Sequence, residues 1–374
     1  MDRILAVWGN LGGAQRIAAL AIPIALGLGI GGAAAYAFTT PKAPVPAIAE
    51  VAPSHTPSTS VRPLGPTSTM SPSPSPSPIP TAIAPPTGPD PLLGTDGRLT
   101  VLLLGSDYRP AHPGNRTDAI MVVSVDPTTE KAAGFSIPRD TSGFPLDNGR
   151  KYGAKVNGLY AHLQSTTGTG GLALSKAVSK AFDIEIDGYV FIGFNGVKAL
   201  VAAVGGVDVT LDKPYYDAHY WVNAHHQGWG LPAGRSHLGP ADALIFARSR
   251  KGDSDFGRAR RQQQLVMAAL TKVRSQGIAK LPRLLQIASR TVRTNLPLDR
   301  ASDLFDIVSK TDLSKIERTV FGPTKFAAGG PGTSFELKIS VCRAWIKANL
   351  PPIRPMGHWP AVATPAASPI VPAP

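Results

Sequence analysis

Cysteine is nearly absent from this sequence: Cys342 is the single cysteine among 374 residues. One cysteine cannot form an intramolecular disulfide, and it cannot build a cysteine zinc site, so neither kind of cross-link supports the fold. The adjacent histidines His225 and His226 lack the ligand spacing of a zinc motif. With 43% apolar and 17% charged residues, a chain of this length can bury a sizeable core, and one large globular domain is expected.

Acidic residues are scarce relative to basic ones. The chain has 25 Asp and Glu against 38 Lys and Arg, which gives a formal net charge of +13. Such an excess favours polyanionic partners, among them phosphates, nucleic acid and anionic lipid. Charge alone does not choose among these partners.

Charge is missing altogether from residues 17–38, an apolar run of 22 residues. A run of this length can span a bilayer. Because Arg3 and Arg16 precede the run, the positive-inside bias predicts a cytoplasmic N-terminus at residues 1–16, a single transmembrane helix at residues 17–38 and an extracytoplasmic remainder. The alternative is a cleaved signal peptide, since Ala35-Tyr36-Ala37 resembles a cleavage site. The uncleaved anchor is favoured because the run exceeds the usual apolar core of a signal peptide.

Proline is concentrated on both sides of the predicted domain. Residues 41–91 hold 16 of the 37 prolines, a composition that fills no core and favours polyproline II. We therefore predict a Pro/Ser-rich extracytoplasmic linker at residues 39–95, a folded domain at residues 96–350 and a disordered Pro/Ala-rich tail at residues 351–374. At about 3.1 Å per residue, such a linker would hold the domain on the order of 100 Å from the membrane.

Segments typical of strands and of helices alternate within the folded part. The continuous apolar run Leu99–Leu104 predicts a buried strand, and Ala119–Val125 and Ala133–Ile137 predict two more strands joined by a turn. Further helices are predicted at residues 172–182, 197–204, 260–273, 282–288 and 301–308, and further strands at residues 189–192, 207–211 and 318–321. This alternation predicts an α/β domain.

Charged residues gather where the first three predicted strands begin or end. Asp107 follows the first strand, Arg116 and Asp118 lie at the start of the second, and Arg139 follows the third. If the second and third strands pair as a hairpin, these ends share one edge of the sheet, where α/β folds commonly bind ligands. Two carboxylates beside arginines suit a hard cation that bridges phosphate oxygens. Alternatively, each is a turn or capping residue in an ordinary ion pair.

The densest positive charge lies in residues 246–264, which contain six basic residues. A helix that begins near Asp255 would place Arg258, Arg261 and Gln262 on one face, together with Leu265. Guanidinium groups bind phosphate oxygens bidentately and stay charged at physiological pH, so Arg258 and Gln262, with the arginines of Arg248-Ser249-Arg250, are candidates to hold a pyrophosphate. The alternative is a solvated basic face that binds anionic lipid or polymer.

The order of these motifs resembles that of the LytR-CpsA-Psr family, and the likeness covers roughly residues 99–274. Each matching motif is short. In chain order they are Gly105-Ser106-Asp107, Arg116-Thr117-Asp118, Ile137-Pro138-Arg139-Asp140-Thr141, Lys155-Val156-Asn157, Gly205-Gly206-Val207, and the Arg-x-Arg, Asp-x-Asp and Arg-x-x-Arg-Gln-Gln elements between Arg248 and Gln263. The resemblance implies a mixed central sheet flanked by helices and an N-terminal anchor.

The resemblance also implies a function. A protein of this family is expected to transfer a glycan with its phosphate from a polyprenyl-pyrophosphate carrier to a cell-wall hydroxyl, typically on peptidoglycan, assisted by Mg²⁺ or another divalent cation. By position, Asp107 and Asp118 resemble the metal-binding and catalytic aspartates, with Arg139 as a further catalytic residue. The residues that resemble the pyrophosphate-binding set are Arg116, Arg139, Arg248, Arg250, Arg258 and Gln262. The polyprenyl tail is expected in an apolar tunnel between sheet and helices.

The residues alone do not exclude two other functions. A phosphohydrolase would use nearly identical groups to cleave the same lipid pyrophosphate with water. A non-catalytic module would bind polyanions through its basic surface, as an envelope protein or a regulator. Nucleic acid is not expected as a partner, because an exported domain does not meet the chromosome.

Aromatic residues and histidines between Tyr215 and Trp229 form a polar insertion in the pattern of strands and helices. We predict a locally packed loop for this insertion, and a glycan-binding platform is the alternative.

Overall fold

The computed structural model describes residues 90, 92–108, 115–329 and 334–353. The predicted N-terminal segment (1–16) and anchor (17–38) lie outside the described residues, as do most of the predicted linker and all of the predicted tail beyond residue 353. Within the described ranges, no helix is both long and apolar enough to cross a membrane.

Strands and helices alternate along the described chain. The strands are β1 (Leu99–Ser106), β2 (Thr117–Asp126), β3 (Lys131–Ser136), β4 (Phe144–Pro145), β5 (Lys151–Tyr152), β6 (Gly188–Gly193), β7 (Val207–Leu211), β8 (Tyr215–Asn223), β9 (His226–Leu231), β10 (Gly234–Leu238), β11 (Val292–Thr294), β12 (Glu317–Val320), β13 (Ala327–Ala328) and β14 (Glu336–Leu337). The helices are α1 (Leu159–Thr167), α2 (Gly170–Phe182), α3 (Phe194–Ala203), α4 (Pro240–Arg248), α5 (Asp255–Gln276), α6 (Leu281–Thr291), α7 (Ala301–Lys310) and α8 (Ile339–Asn349).

The central sheet of the described chain has six strands in the order β11-β6-β1-β2-β3-β12. The pairs β1–β2, β2–β3 and β11–β6 are antiparallel, whereas β1–β6 and β12–β3 are parallel. The sheet is therefore mixed, and helices cover both of its faces, which confirms the predicted α/β class. The hairpin predicted from the second and third strands is β2–β3.

Both faces of the sheet are buried, which explains the continuous apolar run of the first strand. On one face, Val101 and Leu103 pack with residues of α3, α4, α5, α6 and α7. On the other face, Leu102 and Leu104 pack with residues of α1, α2 and α8. Alternate side chains of one strand thus enter two separate cores, so every position of the strand must be apolar or small.

The folded core begins before β1. Leu92 and Leu93 are buried in the same core as Val101, and Asp90 forms an ion pair with Arg300. Part of the segment predicted as linker therefore packs against the domain.

The prediction of a packed loop between Tyr215 and Trp229 was wrong, because this segment forms the antiparallel hairpin β8–β9. Its pairing shifts register between Asp217 and Trp221 and again before Asn223. Such irregularities break the period of two that marks a strand in a sequence.

Candidate active site

A cavity of about 220 Å³ lies where β2 begins, β3 ends and α5 begins. Its lining joins charged residues that are far apart in the sequence: Asp118, Arg139, Asp140, Asp255, Arg258 and, beside them, Gln262. Asp118 and Arg139 from the strand ends and Arg258 and Gln262 from the arginine-rich segment, which the sequence marked separately, therefore belong to one site.

Asp118 lies in a β-bulge between β1 and β2. Gly105 pairs with Ala119 and the next residue, Ser106, pairs with Thr117, so Asp118 is the extra residue between these pairs. A bulge takes a side chain out of the regular alternation of the ladder and redirects it, which is why bulges are frequent beside active sites. Here the bulge leaves the Asp118 carboxylate at the cavity.

Two donors hold the Asp118 carboxylate. Arg139 Nη1 donates to Oδ2 at 2.8 Å, and Asn157 Nδ2 donates to Oδ1 at 3.0 Å. The side chain of Asp118 is only 6% exposed. A buried carboxylate with one donor on each oxygen is fixed in orientation, and each oxygen keeps a lone pair for a further partner.

Arg139 lies among three carboxylates. Besides its bond to Asp118, its Nε lies 3.7 Å from Asp140 Oδ2 and 3.9 Å from Asp255 Oδ1. Burial by itself lowers the pKa of Arg139, but attraction to these carboxylates outweighs burial and raises the pKa above its usual value. The Nε–H group has no hydrogen-bond partner among the described residues, so it can still donate to a ligand.

Arg258, in the first turn of α5, is more deeply buried, with a side chain 3% exposed. Its Nη2 lies 2.8 Å from Asp255 Oδ1, and its Nε also lacks a hydrogen-bond partner within the described chain. Burial lowers the pKa of Arg258, attraction to Asp255 offsets part of this effect, and repulsion from Arg139 adds to it. An additional anion between the two guanidinium groups would relieve that repulsion.

The N-terminus of α5 borders the same cavity. Ser254 caps the helix, and its side chain accepts a hydrogen bond from the Gly257 amide at 3.1 Å. Ser254, Asp255 and Phe256 all line the cavity. The partial positive charge at the start of a helix of 22 residues adds to that of the arginines, and such a terminus favours phosphate.

Arg250 and Arg248 lie outside the described lining of this cavity. Arg250 is connected to it through Asp255, whose Oδ1 is 3.9 Å from Arg250 Nε. The guanidinium of Arg248 lies over two aromatic rings, 5.1 Å from the centroid of Phe194 and 5.5 Å from that of Tyr220. The predicted contact of Arg248 with pyrophosphate stays a prediction.

Asp107 and Arg116 contact each other where the chain leaves β1 and returns to β2. The Asp107 amide donates to Arg116 O at 3.0 Å, and the Arg116 amide donates to Asp107 Oδ1 at 2.8 Å. Neither residue is among the described lining of the cavity.

Among the described residues, no group of three or more His, Cys, Asp or Glu side chains is placed to hold a metal ion.

Gln262 and Arg261 connect α5 to the preceding helix. Gln262 lines the cavity, and its Nε2 donates to Ala247 O at 3.1 Å. Arg261 Nε donates to Phe246 O at 3.1 Å, and its guanidinium lies 4.0 Å from the centroid of the Tyr215 ring. Arg261 therefore serves the packing of α5 against α4, although the sequence placed it on the same face as Arg258.

The segment Arg248–Asp253, which we call the arginine loop, is held by a residue that the sequence did not single out. Asp217 of β8 is 1% exposed, and its Oδ2 accepts from Ser249 Oγ at 2.7 Å, Arg250 N at 3.0 Å and Lys251 N at 2.9 Å. Burial raises the pKa of Asp217, but these hydrogen bonds outweigh burial and hold the pKa below its usual value. No motif marks this role, which only the fold reveals.

A second cavity lies near the other end of β2, among mostly apolar residues of β1, β2, α5 and α7 and of the segment after α7. Its volume is about 20 Å³, close to that of one water molecule. The apolar tunnel that the family resemblance implies stays a prediction.

Comparison with known proteins places this geometry in a family. The LytR_cpsA_psr family model matches residues 80–327. The chain is 34% identical over 210 residues to the polyisoprenyl-teichoic acid–peptidoglycan teichoic acid transferase TagU of Bacillus mycoides, an alignment that covers 55% of this chain and 63% of TagU. The chain thus spans somewhat less than two thirds of that relative.

Two solved structures share the fold. The crystal structure of Bacillus subtilis TagV is 25% identical with a TM-score of 0.54, and the match covers 68% of this chain and 99% of TagV. The structure of TagT bound to LI-WTA is 25% identical with a TM-score of 0.51, covering 69% of this chain and 90% of TagT. Because the family match spans most of the domain that carries the cavity, this chain belongs to the LytR_cpsA_psr family.

Proposed function

We propose that this chain transfers a glycan phosphate from a polyprenyl-pyrophosphate carrier to a hydroxyl of peptidoglycan. The observation that carries the proposal is the pair Arg139, which is partly buried, and Arg258, which is buried. Both line one cavity, and their buried Nε–H groups lack hydrogen-bond partners within the described chain. A pyrophosphate supplies the acceptor oxygens that such donors need. TagU is a polyisoprenyl-teichoic acid–peptidoglycan teichoic acid transferase, and the likeness to it supports the same reaction.

In the proposed reaction, the acceptor hydroxyl attacks the phosphorus on the glycan side of the pyrophosphate. The bond from this phosphorus to the bridging oxygen breaks, and polyprenyl phosphate leaves with the electron pair. Arg139, Arg258 and the N-terminus of α5 bind the phosphate oxygens and neutralise the charge that develops on the leaving group. Positioning and charge neutralisation supply most of the rate enhancement in such transfers.

Asp118 is our candidate for the group that accepts the proton of the attacking hydroxyl. Its carboxylate lines the cavity and is oriented by Asn157 and Arg139. A base must lie within hydrogen-bond distance of the proton that it takes, and an oriented carboxylate that lines the cavity supports this role for Asp118.

Mg²⁺ is part of this proposal. Mg²⁺ is commonly held by one or two carboxylates together with substrate phosphates and water, so the small carboxylate set at the cavity is compatible with it. Asp118 would hold the ion, and Asp107 is the second predicted ligand. When bound, the ion would supply further charge neutralisation at the phosphate oxygens.

We also propose that residues 17–38 keep the protein in the cell membrane, with its N-terminus inside and the domain outside. The support is the uncharged run of 22 residues preceded by Arg3 and Arg16. The full-length protein should stay with membranes after washing in high salt. A soluble mature form that begins near Phe38 would show cleavage and refute the anchor.

The test of function uses the purified full-length protein in detergent, a polyprenyl-pyrophosphate carrying a labelled glycan, peptidoglycan and Mg²⁺. Transfer predicts labelled glycan phosphate bound covalently to peptidoglycan, with release of polyprenyl phosphate. Free glycan phosphate as the sole product would identify a phosphohydrolase instead. Binding of the carrier with no product would identify a non-catalytic module.

A further inference from the structure

The β8–β9 hairpin carries an uncharged surface on a basic protein. Among residues 215–231, Asp217 is the only Asp, Glu, Lys or Arg, and it is buried. The exposed side chains are aromatic, imidazole and amide groups, namely Tyr216, His219, Trp221, Asn223, His225, His226 and Gln227, together with Ala218 and Ala224. Such a surface has no charge with which to attract a polyanion, and it offers hydrogen bonds and apolar rings to a neutral polar ligand.

Tyr216 is an exposed ring of this surface that packs against the opposite strand. Its side chain is 63% exposed, yet its ring covers two glycines of the opposite strand. A Cβ atom at Gly230 would lie 2.8 Å from Tyr216 Cδ2, and one at Gly228 would collide with the Tyr216 hydroxyl. The ring therefore rests on bare backbone with one face and turns the other to solvent. An aromatic face of this kind packs well against the C–H face of a sugar ring.

Trp221, equally exposed at 61%, is another large exposed aromatic side chain of the described hairpin. Trp221 pairs with Gln227 rather than with a glycine, and none of its atoms is among those nearest to Gly228 or Gly230. Trp221 therefore lacks the glycine backing of the Tyr216 ring, which makes it a matched control for Tyr216.

The position of Tyr216 is tied to the proposed phosphate site. Its chain neighbour Asp217 accepts hydrogen bonds from the amides of Arg250 and Lys251. The backbone oxygen of Tyr216 lies so close to Gly252 that a Cβ there would collide with it. Tyr216 is therefore fixed against the arginine loop, which leads directly into the N-terminus of α5 at the cavity.

We propose that Tyr216 stacks on a sugar ring of the acceptor, a neutral chain of N-acetylated amino sugars such as the glycan strand of peptidoglycan. This inference rests on the proposed function. The acceptor is favoured over the donor because the sugar next to the donor pyrophosphate must lie at the cavity. An open, uncharged surface beside the cavity, by contrast, lets a long neutral polymer pass across it.

The test measures binding of a soluble hexamer of β-1,4-linked N-acetylglucosamine to the full-length protein in detergent by titration calorimetry. Tyr216→Ala should weaken binding about tenfold, the usual size of effect for removing a central aromatic contact. Tyr216→Phe, which keeps the ring, and Trp221→Ala should each stay within about twofold of the wild type. No binding by the wild type, or equal effects of Tyr216→Ala and Trp221→Ala, would overturn the proposal.

Steady-state kinetics of transfer show whether Tyr216 contacts the acceptor or the donor. They also distinguish failure of this inference from failure of the proposed function. Tyr216→Ala should raise the KM for peptidoglycan about tenfold and leave the KM for the lipid donor unchanged; the reverse pattern would assign Tyr216 to the donor and overturn the inference. If the wild type transfers nothing while hexamer binding depends on Tyr216, the proposed function fails and the glycan site stands. If transfer proceeds and the affinity for the hexamer does not depend on Tyr216, only the proposed glycan site is refuted.

Discussion

Asn157 donates a hydrogen bond from Nδ2 to Oδ1 of Asp118 at 3.0 Å, across 39 positions of the chain. Asn157 lies in a 3₁₀ turn, Val156–Gly158, that packs against the start of β2. Because Arg139 occupies the other carboxylate oxygen, rotation of the Asp118 side chain would break at least one of the two bonds. The orientation of this carboxylate toward the cavity is therefore built into the fold before any ligand binds, as preorganised catalysis requires.

Asp118→Asn should lower the rate of transfer by about a hundredfold or more, because the change keeps the size of the side chain but removes its charge and its ability to take a proton. The rate is measured at saturating Mg²⁺ and saturating donor. Thermal unfolding of the variant should stay within a few degrees of the wild type. A variant that turns over at close to the wild-type rate would remove Asp118 from the mechanism.

Arg258→Lys tests whether the cavity recognises phosphate through the planar guanidinium or through charge alone. Lysine keeps the charge but loses the paired donors, so transition-state binding should weaken by about 1 to 3 kcal/mol, seen as a lower kcat/KM for the donor. Arg260, exposed on the same helix, is the matched control, and Arg260→Lys should be nearly silent. Similar small effects of both changes would mean that the helix is only a basic surface.

Asp217→Asn tests the support of the arginine loop. The variant should lose about 2 kcal/mol of unfolding free energy at pH 7, because charged hydrogen bonds to Ser249 and to the amides of Arg250 and Lys251 become weaker.

The pKa of Asp217 in the folded protein lies below the ordinary value of 3.8. Its stabilisation is therefore present above about pH 4 and is lost as the pH falls through the folded pKa. Denaturation at pH 7 and pH 3 should show a difference between variant and wild type that shrinks at the lower pH; an equal difference at both values would contradict this account.

Much of the fold could be predicted because its elements obey simple periods. The apolar runs of β1 and β2 reflect burial on both faces of the sheet, and the helix predicted at residues 260–273 lies within α5, which begins at Asp255. The β8–β9 hairpin was missed because its register shifts hide the alternation of a strand. Local pattern therefore identifies regular elements, and it fails where pairing is irregular.

The candidate site was predictable in part for the same reason. Asp118 and Arg139 could be expected to meet because the ends of a hairpin share an edge of the sheet. Helical spacing put Arg258 and Arg261 on one face, but it did not show that they have different roles: Arg258 lines the cavity, whereas Arg261 bonds to the backbone of α4. The aromatic neighbours of Arg248 and the hydrogen bonds of Asp217 depend on tertiary packing, for which a single sequence carries no signal.

Asp187→Asn should change how stability depends on pH without touching the cavity. Asp187 Oδ2 accepts a hydrogen bond from the Thr100 amide at 2.7 Å, while burial, and to a lesser extent Asp96 and Glu185, raise the pKa of Asp187 to about 8. Between the ordinary value of 3.8 and about 8, the folded state keeps a proton that the unfolded state releases, so the unfolding free energy of the wild type falls as the pH rises through this window. Asparagine keeps the acceptor for Thr100 and cannot ionise. The variant should therefore gain stability relative to the wild type from pH 5 to pH 9, by more than about 1 kcal/mol, as measured by chemical denaturation at both values. A relative stability that does not change with pH would show that Asp187 ionises as readily in the folded protein as in the unfolded chain.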